Sequence, residues 1–200
     1  MAISVNVSIF NRLNVADSCA IWNLLSSDRL YLVARSAGCH FCCTNFVKYE
    51  CLIKPRTAHK PYDQALREKF KQENANGIIR DHHLEVDDLR HVELLRRRKK
   101  LSMGELSSIA FAMRTQQAFF TDDQNARKLA SSVLEKGNVQ TTPHLFGWLI
   151  FSGHLGDSDK DVVVQQHCNL SKGELAVFLQ EIYLEALRCR LLVSPSSQTQ

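Results

Sequence analysis

Short apolar runs alternate with stretches of helical periodicity along most of this chain, and that alternation favours an α/β sheet over an all-α or all-β fold. Residues 10–16 read as a first strand and 19–25 open a helix. Residues 39–43 read as a second strand, after which Thr44 caps a helix carrying Phe46, Val47, Glu50 and Cys51. Pro55 and Pro61 bracket a loop over 54–61, and 62–75 form a polar helix on the surface. Either 78–79 or 84–86 supplies a further strand. Helices follow over 88–98 and 103–113, the latter with Leu106, Ile109, Ala110 and Met113 on one face. Residues 118–121 form a buried strand, and 124–134 a helix ended by Gly137 as its C′ residue. After a last short strand at 139–141, Thr142 as cap and Pro143 at the first helical position open a helix through Ile150. Two more helices span 159–168 and 172–190, the second started by a Ser171–Glu174 capping box.

At 200 residues the chain has room for one domain with a proper core. A hydrophobic share of 44% and a charged share of 23% are ordinary for a globular protein, so only the Ser-, Gln- and Pro-rich tail 194–200 reads as disordered. Asn6, Asn11, Arg12, Asn14 and Asp17 interrupt the amino-terminal stretch, leaving no signal-type apolar core. The longest apolar runs, such as 145–151, fall well short of the roughly 18 residues of a membrane span, so a cytoplasmic protein without membrane contact is expected. Seven cysteines, an odd number spread through helices and strands, argue for reduced and mostly buried thiols. The net charge of +4 permits an acidic partner without demanding one.

Carboxylates recur where these elements meet. Asp17 follows the first strand, Glu50 lies on the helix after the second, Glu105 sits in a first helical turn, and Asp122 and Asp123 end the strand at 118–121. Each also has a plain structural role: Glu105 with Ser102 fits a capping box, Asp17 and Asp122 or Asp123 fit N-caps, and Glu50 fits a solvated helix position. Taken together, most sit at the carboxyl edge of the sheet, where α/β folds put ligands. Grouped carboxylates repel unless cations neutralise them, and Mg²⁺ or Mn²⁺ prefers a few carboxylates plus water. Such a site suits phosphodiester hydrolysis. No Ser-His-Asp order competes, and none of the 8 glycines forms a phosphate-binding loop.

The segments Val15-Ala16-Asp17-Ser18, Phe46-Val47-Lys48-Tyr49-Glu50, Gly104-Glu105-Leu106-Ser107-Ser108-Ile109-Ala110-Phe111-Ala112 and Phe120-Thr121-Asp122-Asp123-Gln124-Asn125-Ala126-Arg127-Lys128-Leu129-Ala130 resemble the successive motifs of PIN-domain proteins, most closely the VapC-like prokaryotic branch. The resemblance covers roughly residues 10–155, and the two end helices resemble the tail of one group of these proteins. It implies a three-layer α/β/α sandwich with a central parallel sheet over 1–156, followed by a helical pair over 157–193 packed on it. It further implies a metal-dependent endoribonuclease using Mg²⁺ or Mn²⁺, with RNA as substrate and a small antitoxin as partner. Position by position, Asp17, Glu50, Glu105 and Asp123 match the catalytic acids, with Asp17, Glu105 and Asp123 as metal ligands. Ser18, Thr121 and Asp122 support them, and Asn125 stands where many relatives carry a further acid. The polar segment 54–88 is longer than in the smallest members.

A nuclease also needs cations to hold the phosphates that its acids repel. Arg96, Arg97, Arg98 and Lys99 form the densest basic run, continued by Lys100, and Arg127 and Lys128 follow Asp123 directly. The run equally suits a helix end, where basic side chains complement the dipole. Cys39-His40-Phe41-Cys42-Cys43 holds a Cys-x-x-Cys spacing without a second ligand pair, so a strand of buried thiols is preferred over a zinc site. His82, His83 and His91 read as surface residues. The apolar end helices, with Leu175, Phe178, Leu179, Ile182 and Leu187, either pack on the core or bury a homodimer contact. Two further readings stay open: a catalytically silent PIN-like module that binds RNA or protein, and a zinc-stabilised interaction protein.

Overall fold

The computed structural model describes residues 6–54, 61–170 and 175–193. Five parallel strands, β1 (Leu13–Ala16), β2 (His40–Thr44), β3 (Arg80–His82), β4 (Ala118–Phe120) and β5 (Val139–Gln140), lie in the order β3-β2-β1-β4-β5. Their connections are helical: α1 (Ser18–Leu25) and α2 (Asp28–Ser36) join β1 to β2, and α3 (Asn45–Leu52) and α4 (Pro61–Ala75) follow β2. Next come α5 (Val86–Arg98), α6 (Met103–Thr115), α7 (Gln124–Ala130) and α8 (Thr142–Phe151), then α9 (Asp157–Leu170) and α10 (Ala176–Val193). The chain enters the sheet at its centre, winds outward through β2 and β3, then returns to build β4 and β5 on the other side. The crevice between β1 and β4 is therefore the topological switch point, the place where such sheets bind ligands.

Strand alternation builds the three layers. Ala16, Phe41, Cys43 and Phe120 face a core closed by α1–α4 and α8–α10, while Val15 and Phe119 face a second core closed by α5, α6 and α7. The first core centres on Phe10, which stacks on Trp148 at 5.5 Å and meets Phe120 edge-on at 6.4 Å. Helix α8 is buried from Thr142 through Ile150 because α10 covers its outer side. Helix α9 is tied to α2 through Ser27–Gln166 and Arg29–Asp159 contacts of 2.8 Å. The helical pair thus packs on the sandwich.

Gly147 marks that packing. A Cβ there would lie 2.7 Å from Ile182 Cγ1 of α10 and 3.0 Å from Val7 Cγ1. Gly147→Ala is expected to destabilise by about 1–2 kcal/mol, overpacking of ~1–3 kcal/mol outweighing the ~1 kcal/mol helix-propensity gain. Urea unfolding measures it, and an unchanged midpoint would show that α10 leaves α8 uncovered in solution.

Several expectations need correction. Neither 78–79 nor 84–86 forms the third strand: β3 is an edge strand of polar residues, and Ile79 is buried just before it. Helix α4 is no surface helix, since Leu66 and Phe70 are buried and Phe70 meets Trp22 edge-on at 6.1 Å. Helix α7 stops at Ala130 with Ser131 as its C-cap, so Gly137 (φ +93°) serves the turn before β5 instead. Thr141, not Thr142, caps α8, which moves Pro143 to the second helical position. Helix α2, capped by Ser27, had not been expected. The Ser171–Glu174 capping box, the tail 194–200 and most of the 54–61 loop lie outside the described residues.

Candidate active site

Four acids from distant parts of the sequence reach the crevice because three helices begin there. Asp17 is the N-cap of α1, its Oδ1 accepting from Ala20 N at 2.8 Å. Asp123 is the N-cap of α7, its Oδ1 accepting from Ala126 N at 2.7 Å. Glu105 is the third residue of α6 and closes a capping box with Ser102, its Oε2 accepting from Ser102 N at 2.7 Å. Glu50 comes from α3 to the same helix start: its Oε1 accepts from Gly104 N at 3.0 Å. The positive ends of α1, α6 and α7 thus face the acids and offset part of their mutual repulsion.

The cluster is cross-linked. The Thr121 hydroxyl donates to Asp17 Oδ2 and accepts from Asp123 N at 3.1 Å, so one fully buried side chain holds two of the acids. The Ser18 hydroxyl donates to Glu50 Oε2 at 3.4 Å, joining the segment of Asp17 to that of Glu50. Burial first, and then the charges of Asp122 and Glu105, push Asp17 up to about 7 against the hydrogen bonds from Thr121 and Ala20. Partial burial raises Glu105 as well, with Asp123 and Glu50 adding to it and Ser102 opposing. Cys19 senses the same set: desolvation of the sulfur and then Asp122, Asp17, Asp123 and Glu105 push its thiol up.

The donor chemistry fits a hard divalent cation. All the ligating atoms on offer are carboxylate or hydroxyl oxygens, and the charged groups acting on Asp17 are themselves acids. Among the described residues, however, no three His, Cys, Asp or Glu side chains close up into one ligand group. The three acids Asp17, Glu105 and Asp123 therefore form no closed cage, and any cation here would have to be one that keeps several waters and uses one or two carboxylates. Asp17 would be the central ligand.

Asp122 has a different task. Its carboxylate accepts from Asn23 Nδ2 at 2.8 Å and from Thr142 N and Oγ1 at 2.9 and 2.6 Å, tying α1 to the start of α8. Asn125 is exposed on the first turn of α7. Among the basic residues, Arg96 pairs with Glu93 at 3.6 Å, Arg97 and Arg98 are exposed, and Lys99 caps the end of α5 just before α6. Arg127 is half-buried, its Nε without a hydrogen-bond partner, and Lys128 is exposed. Cys39 belongs to the first core and Cys42 packs against the second, so the Cys-x-x-Cys pair points to opposite faces of the sheet and cannot share an ion. Burial pushes these thiols up to about 11 and about 12, which keeps them protonated at neutral pH.

Protein-family models, curated proteins and solved structures give no match to this chain. The site therefore rests on its own geometry. Gly104 escaped the reading of residue types because it acts through its backbone. A Cβ at Gly104 would come within 2.8 Å of Glu50 Cδ, so only glycine leaves Glu50 room against the α6 start. Among the described residues, no helix is long and apolar enough to cross a membrane.

Proposed function

We propose that this chain is a metal-dependent endoribonuclease with a PIN-like active site of Asp17, Glu50, Glu105 and Asp123. The observation that carries the reading is the gathering of acidic residues from four segments at the β1–β4 switch point, where Thr121 bonds both the Asp17 carboxylate and the Asp123 backbone N–H and Glu50 caps the start of the Glu105 helix. When bound, Mg²⁺ or Mn²⁺ would offset charge on the phosphodiester and acidify an attacking water. The chain's own residues do the rest. Thr121 fixes the Asp17 carboxylate, and the Gly104 N–H and the Ser18 hydroxyl aim Glu50, which takes the proton of the attacking water. Glu105 and Asp123 complete the acidic pocket, while Lys99 and Arg127 hold backbone phosphates beside it.

The second reading, a silent RNA-binding module, is favoured by one feature: both oxygens of Asp17 and of Glu50 already carry intramolecular hydrogen bonds. Incubation of the purified chain with end-labelled single-stranded and structured RNAs separates the two. The nuclease gives products with Mn²⁺ or Mg²⁺ and none with EDTA. Gly104→Ala should cut that cleavage by at least about tenfold, since sub-ångström to 1 Å misplacement of a catalytic group is enough. Its melting temperature should stay close to wild type, because the group displaced is the end of a flexible side chain. Binding of those RNAs without cleavage in any metal condition would support the silent module.

A further inference from the structure

Beside the acids lies a cavity of about 550 Å³ whose walls come from the outer face of α3 and the start of α6. Glu50 belongs to both the cavity and the acidic cluster, so the two adjoin at that residue. The other walls are of different character. Phe46 and Tyr49 line it from α3, Met103 from α6, and Lys54 adds a cation. Tyr49 is 48% exposed and Met103 36%, an aromatic and a thioether left facing water next to a cluster of charges. Asn45, on the same wall, adds a side-chain amide to this lining.

We infer that this cavity is a base-stacking shelf for an unpaired nucleotide flanking the scissile phosphate, with Tyr49 and Phe46 as the stacking surface. This rests on the nuclease reading for its position along the RNA but not for its chemistry. An aromatic face, an amide and a cation are what single-stranded RNA offers partners for: the ring, the base edge and the adjoining phosphate. A base held in a duplex presents neither its faces nor its pairing edge, so the shelf selects loops and single strands over stems. Lys54 supplies a positive charge to the lining and would meet the phosphate that Glu50 repels.

The test is binding of a short fluorescent single-stranded RNA to the full chain in EDTA, read by anisotropy, so that no cleavage intervenes. Tyr49→Ala should weaken binding roughly tenfold to a hundredfold, the loss expected for one stacked base, while Tyr49→Phe retains it. A blunt duplex of the same length should bind more weakly than the single strand. The exposure of Tyr49 leaves the fold intact in both variants, which a melting curve confirms. Tyr49→Ala binding as wild type, or a duplex bound as tightly as the single strand, overturns the shelf. So does a dimer that Tyr49→Ala dissolves in a chain that binds no RNA, which would make the cavity a contact with a second copy. Tyr49-dependent binding without cleavage under any metal leaves the shelf standing and removes the nuclease reading. Cleavage unaffected by Tyr49→Ala does the reverse.

Discussion

Asp17→Asn is expected to lower metal-dependent RNA cleavage by at least about 100-fold while leaving the protein as stable as wild type, or more so, at pH 7.5. The size follows from the role: loss of a residue that merely orients a metal ligand costs ~10–100-fold, and Asp17 is the proposed ligand itself. The stability follows from burial. Asp17 is 1% exposed, and its carboxylate is pushed up to about 7, so near neutrality the folded chain bears the cost of a buried charge. Asparagine keeps the shape and the oxygen that accepts from Ala20 N, and its amide faces Thr121 in place of the second carboxylate oxygen. The N-cap of α1 survives, since asparagine caps as well as aspartate does. Cleavage and urea unfolding are measured on one preparation. Wild-type cleavage by a folded Asp17→Asn chain would remove Asp17, and with it the proposed site.

The acids were legible because their positions follow local rules. A carboxylate that ends a strand and caps the next helix is marked by residue type and periodicity alone, and Asp17, Asp123 and the Ser102–Glu105 pair stand where those rules put them. The parallel sheet was legible for the same reason, since apolar runs separated by helices leave few other folds. What escaped depends on contacts between distant segments. Asp122 looks like Asp123 in sequence, yet Asn23 and Thr142 claim it because α8 starts beside it. Strand β3 is an edge strand whose Asp81 is held by Lys48 and Asn74, so it shows no apolar alternation to read. Gly137 was misassigned since a glycine that ends a helix and one that serves a turn before a strand are the same residue type. Helix α2 was a missed signal rather than a hidden one: the Ser27 cap and the buried Leu30, Tyr31 and Ala34 carry the usual spacing.

The stability of the metal-free protein should fall as pH rises from about 5 to 7.5, and Mn²⁺ or Mg²⁺ should restore much of the loss at the upper end. For Asp17 the folded-state value lies above the unfolded 3.8, at about 7. Between those values the folded chain holds more protons than the unfolded one, so stability declines with pH through that window and levels off above it. For a fully buried group the linkage amounts to roughly 2–3 kcal/mol between pH 5 and 7.5. His144 acts in the opposite sense. Burial lowers its pKa despite its hydrogen bonds to the carbonyls of Asn6 and Ile9, so its contribution is lost as pH falls below its unfolded value of 6.5. The difference between wild type and Asp17→Asn cancels His144 and isolates the carboxylate. Urea midpoints across pH 5–8, with EDTA or with Mn²⁺, supply the data. A cation that binds only the ionised site stabilises in proportion to its occupancy, so the rescue must grow with pH and vanish in Asp17→Asn. Rescue of equal size at pH 5 and pH 8, or its persistence in the variant, would place cation binding elsewhere than at the β1–β4 crevice. With no rescue at all, the raised Asp17 would remain only as the helix cap that Thr121 and Ala20 make of it.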